Sequence, residues 1–111
     1  MASITDSHMR EMLGRSKLYT VVVLRRTGRR ADAAADAVVW EHGRRNFELR
    51  AKGVLRIVGP MVRDADFAGL CIFSTGVDET RKIMDEDPSV KAGIFTYETH
   101  VMRSFPGDSL S

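Results

Sequence analysis

Two stretches of this chain are apolar at nearly every position, and they restrict the fold more than any other feature. One is VVVL at 21–24, and the other is FAGLCIF at 67–73. Each run predicts a strand. Because successive side chains of a strand point to opposite faces, a strand that is apolar throughout requires both faces of its sheet to be covered.

The pattern predicts six elements in the order β-α-β-β-α-β. They are a strand at 17–26, a helix from about 31 to 53, a strand at 54–58 ended by Gly59-Pro60, a strand at 67–74, a helix at 78–86 and a strand at 93–102. Asp32 is expected to cap the first helix, and Gly53 is expected to end it. This order predicts an α+β protein of the ferredoxin-like βαββαβ type, an antiparallel sheet with both helices on one face.

Two helices on one face leave the other face of the sheet without cover. A monomer would expose more apolar surface there than soluble monomers usually do, so the sequence predicts a homodimer with its sheets packed face to face. Residues 17–105 form the predicted domain. Residues 1–16 have scattered methionines and no strong helix cap, so we expect a flexible arm, and residues 106–111 are expected to form a tail.

Composition limits the classes of function. A net charge of +2 and the short basic run LRRTGRR at 24–30, without interleaved aromatics, argue against a nucleic-acid partner. No apolar run is long enough to span a membrane, and no signal peptide is recognisable. The single cysteine, Cys71, is expected to be a small buried hydrophobe, and a chain without an internal disulfide fits the cytoplasm.

The first helix carries a histidine, His42, among apolar residues. At about 100° per residue one side collects Ala35, Val38, Val39, His42, Asn46 and Leu49. Trp40 and Phe47 are expected to extend this arc and to anchor the helix in the fold. The opposite side, expected to meet water, carries Glu41, Arg44, Arg45, Glu48 and Lys52. His42 is then either a core histidine satisfied by a neighbouring polar group or a catalytic base.

Asp87 is the ionisable residue that the topology can bring to His42. It follows the second helix, and both helices lie on the same face of the predicted sheet. A carboxylate that accepts from one imidazole nitrogen leaves the other nitrogen free to take a proton. The alternative is structural, because Asp before Pro88 is also an ordinary helix N-cap.

These residues resemble the YciI-like (YCII-related) family over about residues 17–105. The likeness is carried by VVVLRR, by EHGRRNFELRAKGVLRIVGP and by EDPSVKAGIFTYETHVMRSF. It implies a dimeric α+β barrel of ferredoxin-like subunits, a His42–Asp87 pair, and a turn at Gly59 and Pro60 beside the pocket. Ser89 stands where the family often has an aromatic residue. One similar protein is a dehydrochlorinase of a chlorinated hydroxyquinol, and muconolactone isomerases share the fold.

The resemblance implies a cofactor-independent lyase or isomerase. His42 and Asp87 would act as general acid and base on a small cyclic or aromatic hydroxy-ketone. Further substrate-binding residues are expected among Arg25 and Arg56, for an anionic group, and Ser89 as a hydrogen-bond donor. No metal-ligand spacing or phosphate-binding loop is present, which predicts a site without metal or cofactor. The alternative is a non-catalytic dimer that binds a small molecule or serves as a structural module.

Overall fold

The chain builds one four-stranded antiparallel sheet with helices on one face, as seen in a computed structural model that describes residues 3–111. The helices are α1 (Asp6–Arg15), α2 (Ala35–Ala51), α3 (Val77–Asp85) and α4 (Pro88–Lys91). The strands are β1 (Lys17–Arg26), β2 (Leu55–Pro60), β3 (Phe67–Phe73) and β4 (Phe95–Ser104). A 3-10 turn at Gly28–Ala31 leads from β1 towards α2. The predicted ferredoxin-like α+β fold is confirmed.

The strand order is β2-β3-β1-β4, so the two strands with continuous apolar runs are central. Val22 of β1 pairs with Cys71 of β3 on one side and with Thr99 of β4 on the other. The core lies between the sheet and the helices. Its buried members include Val22, Leu24, Ala35, Leu55, Cys71, Phe73, Met84, Ile94 and Phe95. None of the helices in residues 3–111 is long and apolar enough to cross a membrane.

The segment predicted as an N-terminal arm contains α1. Thr5 caps this helix, because its side chain accepts a hydrogen bond from the backbone N–H of His8 at 3.1 Å. No residue of α1 is buried, so the helix lies outside the hydrophobic core. The sequence analysis found no strong helix cap here and therefore missed this helix. Met1 and Ala2 of the predicted arm lie outside the described residues.

Helix α2 begins three residues after its predicted cap. Its N-cap is Ala34, without a side-chain hydrogen bond, so the prediction that Asp32 caps α2 is wrong. Asp32 instead follows the 3-10 turn as its C-cap, so residues 32–34, which were expected to begin the helix, precede it. At the other end Gly53 has a φ of 76°, a conformation that glycine adopts at little cost, and the predicted C-terminal glycine is confirmed.

The predicted rotation of α2 was partly wrong. Trp40 is 71% exposed and Phe47 is 58% exposed, so neither anchors the helix within its own chain. At 100° per residue they lie about 160° and 140° around the helix from His42, which is buried. Arg45, expected in water, lies only about 60° from His42 by the same count and is half-buried.

Strand β2 continues through the residues expected to end it. Pro60 pairs with Gly69 as the last residue of the strand. A proline is tolerated here because β2 is an edge strand, where a missing N–H can face outward. Gly59 lies so close to β3 that a Cβ atom there would stand 2.9 Å from the carbonyl oxygen of Leu70. This close approach shapes the edge of the sheet beside α2.

Candidate active site

His42 and Asp87 meet in the structure as a buried hydrogen-bonded pair. His42 lies in the middle of α2, and Asp87 precedes α4. The imidazole Nδ1 is 2.7 Å from the carboxylate Oδ2. His42 is 8% exposed and Asp87 is not exposed at all. The two helices pack against each other on the sheet, and this packing brings the residues together across 45 positions of sequence.

Asp87 has both of the roles that the sequence left open. Its Oδ1 accepts the backbone N–H of Ser89 at 2.9 Å, the N-cap bond of α4, and the Ser89 hydroxyl at 2.5 Å. Its Oδ2 faces His42. One oxygen therefore caps the short helix while the other contacts the imidazole, so the N-cap and the histidine partner are the same carboxylate.

The ionisation of Asp87 determines which imidazole nitrogen is free. Burial acts to raise the pKa of Asp87, but the hydrogen bond and charge of His42 and the two bonds from Ser89 outweigh it. The pKa of Asp87 consequently lies below its usual value. An ionised carboxylate only accepts, so Nδ1 carries the proton and Nε2 of the neutral ring carries the lone pair.

Two further side chains hold the imidazole ring. Phe95 of β4 meets it edge to face, with the ring centroids 5.4 Å apart and the planes at 76°. Asn46, one helical turn after His42 and 4% exposed, places its side-chain nitrogen 3.3 Å from Nε2. The sequence placed Asn46 on the same helix face but gave it no role. The four-residue spacing from His42 was the signal that could have found it.

Arg45 is a second residue whose position was missed. Its Nη1 lies 3.7 Å from Oδ2 of Asp87, an ion-pair distance without a hydrogen bond. That nitrogen is buried and has no hydrogen-bond partner among residues 3–111. The guanidinium charge nevertheless favours an ionised Asp87 at this range. Arg45 follows His42 by three residues, a spacing that places side chains side by side on a helix.

A groove of about 1230 Å³ opens beside the pair; α2 and the edge strand β2 line it, and it extends along β1, β3, β4 and the C-terminal tail. Helix α2 contributes Val39, His42, Gly43, Asn46, Phe47 and Arg50, and β2 contributes residues 56–60. Gly59 and Pro60 thus line the groove that His42 reaches. Asp87 and Ser89 do not line it, because they lie behind the imidazole and are fully buried.

Cations predominate along this groove. Its charged lining residues are Lys17, Arg26, Arg30, Arg50, Arg56 and, from the C-terminal tail, Asp108. Arg26 is engaged by main-chain carbonyls of the 61–67 segment, and Arg30 pairs with Asp36 at 2.7 Å. The side chains of Arg50 and Arg56 make no hydrogen bond or ion pair with the rest of residues 3–111. They are free to attract an anion.

Two predicted substrate-binding residues are placed elsewhere. Arg25 binds Glu98 at 2.9 Å on the sheet face opposite the helices, so its own chain does not bring it to His42. Ser89 directs its hydroxyl to Asp87 and has no exposed surface, which makes it a support of the carboxylate. Of the predicted set, His42, Gly59, Pro60 and Arg56 line the groove.

Cys71 also lines the groove, as a buried free thiol. Burial raises the pKa of this thiol to about 11, although the backbone N–H of Gly59 acts in the opposite direction. A thiol with so high a pKa stays protonated near neutral pH and is a poor nucleophile. No cluster of three or more histidine, cysteine or carboxylate side chains arranged for a metal ion occurs in residues 3–111.

Comparisons with known proteins identify the fold. No family model matches the chain, and no curated protein matches it in sequence. One solved structure that it resembles is 5-chloro-2-hydroxyhydroquinone dehydrochlorinase from Burkholderia phenoliruptrix AC1100, in complex with 2,5-dihydroxybenzoquinone. The likeness has a TM-score of 0.53 and 19% sequence identity, and covers 80% of this chain and 95% of the dehydrochlorinase chain. The chain shares the ferredoxin-like α+β fold of that dehydrochlorinase.

Proposed function

We propose that this protein is a cofactor-independent lyase or isomerase of the YciI-like type, with His42 as its general base. The observation that carries the proposal is the buried His42–Asp87 pair, whose imidazole reaches a basic groove. A buried ionised carboxylate on one nitrogen of a histidine fixes the tautomer and stabilises the imidazolium. That arrangement suits a base that takes a proton and later returns it.

In the proposed mechanism Nε2 of His42 takes a proton from the bound substrate. The resulting imidazolium donates through Nδ1 to the ionised Asp87, which offsets the new positive charge. Ser89 keeps the carboxylate in place through two hydrogen bonds. An isomerase would return the proton to another carbon of the substrate, and a lyase would release it with a leaving group.

The proposed substrate is a small cyclic or aromatic hydroxy-ketone. Phe95, Val58 and Pro60 supply apolar groove walls that fit a ring. Arg50 and Arg56 would hold an anionic oxygen or substituent, because their charges have no partner among the described residues. Arg25 has no part in this groove. The dehydrochlorinase of similar fold was solved with a dihydroxybenzoquinone, a ligand of this class.

The proposed working form is a homodimer. The sheet face without helices carries Val23, Leu70 and Ile72, all partly open to solvent. They belong to the two central strands, so they form one continuous apolar surface. Burying it against a second copy would remove that surface from water.

The test measures the exchange of carbon-bound protons of a candidate substrate with solvent deuterium, so the natural substrate need not be known. Small cyclic hydroxy-ketones in D₂O are followed by proton NMR with the wild-type protein, and chloride release from 5-chloro-2-hydroxyhydroquinone is measured in parallel. His42→Ala and Asp87→Asn should abolish any activity found. The matched controls are His8→Ala and Glu41→Gln, which remove an exposed histidine of α1 and an exposed carboxylate of α2, both outside the groove.

The alternative is a non-catalytic module that binds a small molecule or serves as a structural dimer. The observation in its favour is that Asp87 caps α4 and ties it to α2, a purely structural use of the same pair. Under this alternative the wild type binds hydroxy-ketones without accelerating exchange. A wild type that binds hydroxy-ketones but does not accelerate exchange would favour this alternative, whereas activity that survives in His42→Ala would contradict the role of His42 as general base.

A further inference from the structure

Asn46 is an unusual residue for its position. It is the only asparagine of the chain, which has no glutamine, so it carries the sole side-chain carboxamide. It lies on the buried side of α2 and is 4% exposed. Asparagine is a poor helix former, and a buried amide costs free energy unless it is hydrogen-bonded. A particular use for the amide would explain its presence here.

Most of the bonding capacity of this amide is unused. Among residues 3–111 the side chain has one hydrogen-bond partner, Nε2 of His42, at 3.3 Å. A carboxamide offers two N–H donors and a carbonyl acceptor. Asn46 lines the groove, and its carbonyl oxygen is not among the buried polar atoms without a partner. The remaining capacity is therefore available to a molecule in the groove.

The tautomer of the His42 imidazole determines the direction of its hydrogen bond with Asn46. Nε2 of the neutral ring carries the lone pair, since Nδ1–H is committed to Asp87, so Asn46 donates an N–H to Nε2. A substrate that gives its proton to Nε2 has to take the place of this donor. The displaced amide then lies beside the substrate, because its nitrogen starts only 3.3 Å from Nε2.

We propose that Asn46 is a catalytic residue that works together with His42. This inference rests on the proposed function. When the substrate displaces the amide from Nε2, the freed N–H donates to the substrate oxygen that becomes negative as His42 takes a proton from the adjacent carbon. The C–H electron pair forms a carbon–carbon double bond, and the carbonyl π pair moves onto the oxygen. The proton ends on Nε2, and no other reactant is needed.

The separation of the two groups fits this substrate. From standard bond lengths, a carbonyl oxygen lies about 2.4 Å from the carbon next to its carbonyl carbon. Two protein atoms 3.3 Å apart can face such a pair, one at the acidic carbon and one at the oxygen. A donor aimed at a developing oxyanion in a site shielded from water stabilises the transition state strongly. The arrangement selects a carbonyl next to an acidic carbon, as in cyclic hydroxy-ketones, over an isolated hydroxyl group.

The unique carboxamide makes the test direct. In a ¹⁵N-labelled sample the Asn46 side chain is the only source of a carboxamide NH₂ pair of signals. The probe is 2,5-dihydroxybenzoquinone, whose anionic oxygens imitate the product of proton removal. The pair should move on titration with the probe. Asn46→Asp keeps the shape but removes the donor, so probe affinity should fall about tenfold or more. Ala37→Asp adds the same charge on the exposed side of α2 and should bind as the wild type does.

Each outcome decides between the two proposals. A wild type that binds the probe while the NH₂ pair stays in place, or an Asn46→Asp protein that binds equally well, would overturn the role of Asn46 alone. If the wild type does not bind the probe at millimolar concentration, that result would contradict both the proposed hydroxy-ketone substrate class and the proposed role of Asn46. Should Asn46→Asp fail to fold, Asn46→Leu and the wild-type titration give the answer. In His42→Ala exchange activity should vanish while the NH₂ pair still responds to the probe.

Discussion

Asp87→Asn is the substitution that separates the two uses of this carboxylate. The asparagine keeps an oxygen at the position of Oδ1, so the cap bonds from the N–H and hydroxyl of Ser89 can remain. At the position of Oδ2 it presents an NH₂ group to His42. Nδ1 must then accept, and the ring proton moves to Nε2. The base nitrogen would face the groove already protonated.

The cost to stability follows from the contacts that Oδ2 makes. Its bond to His42 changes from a charge-assisted to a neutral hydrogen bond, a difference of about 1 kcal/mol. Nη1 of Arg45, buried 3.7 Å away, loses the nearby negative charge, which adds about 1 kcal/mol. We expect a fall of about 2 kcal/mol in the free energy of unfolding at pH 7, with the fold intact.

The pH dependence has a definite sign. The pKa of Asp87 is lower in the folded protein than its usual value, so its ionised form favours folding. This contribution is fully present above the unfolded pKa, about 3.9, and is lost as the pH falls through the folded value. Asparagine does not titrate. The stability gap between the two proteins should therefore hold from about pH 7 to pH 5 and narrow below about pH 4.

Urea denaturation of both proteins at pH 7 and at pH 3, followed by circular dichroism, measures this gap. Glu41→Gln serves as control, because Glu41 is exposed in an ion pair with Arg44 outside the groove and its loss should change stability little. A gap under about 0.5 kcal/mol at pH 7 would show that the Oδ2 contacts contribute nothing net. A gap of equal size at both pH values would show that the effect does not come from ionisation of Asp87.

Four further outcomes are expected. Phe47→Ala should cost less than about 1 kcal/mol by denaturation, because the ring is 58% exposed; a larger loss would show that Phe47 is covered in solution. Gly59→Ala should lower stability by about 1–3 kcal/mol, since its Cβ would stand 2.9 Å from the Leu70 carbonyl oxygen, and an unchanged midpoint would contradict that close approach. Cys71, with its pKa raised to about 11, should resist iodoacetamide at pH 8 until the protein is unfolded, as mass spectrometry can check; rapid labelling of the folded protein would refute its burial. The wild type should sediment as a dimer at micromolar concentration and Ile72→Glu as a monomer, whereas a monomeric wild type would rule out the proposed use of the helix-free face.

The fold could be predicted because its strongest signals are local. The continuous apolar runs predicted the two strands that are central in the sheet, β1 and β3, and Gly53 marked the end of α2 through a backbone conformation that favours glycine. Pro60 was misjudged because a proline ends a strand only where its N–H is needed, and the edge position of β2 was not evident beforehand. The start of α1 depended on a single cap, Thr5.

The site was harder to predict than the fold. The pairing of His42 with Asp87 followed from topology, since α2 and the start of α4 had to share one sheet face. To predict that Arg45 and Asn46 lie beside the pair, the rotation of α2 about its axis had to be known to within a few tens of degrees. Trp40 and Phe47 obscured that rotation, because aromatic residues on the exposed side widened the apparent apolar arc. Only the packed structure shows which side of the helix meets the carboxylate.

The double use of Asp87 ties the chemistry of the groove to a very local opening of the chain. Helix α4 has only four residues, and the amide hydrogen of Ser89 is held by the same carboxylate that orients His42. When this single turn opens, the base loses its partner even if the rest of the domain stays folded. The rate of hydrogen exchange at the Ser89 amide would thus report the fraction of molecules in which this turn is closed and His42 is correctly oriented. A substitution far from the groove that loosens this turn would reduce the competent fraction without altering one residue of the groove.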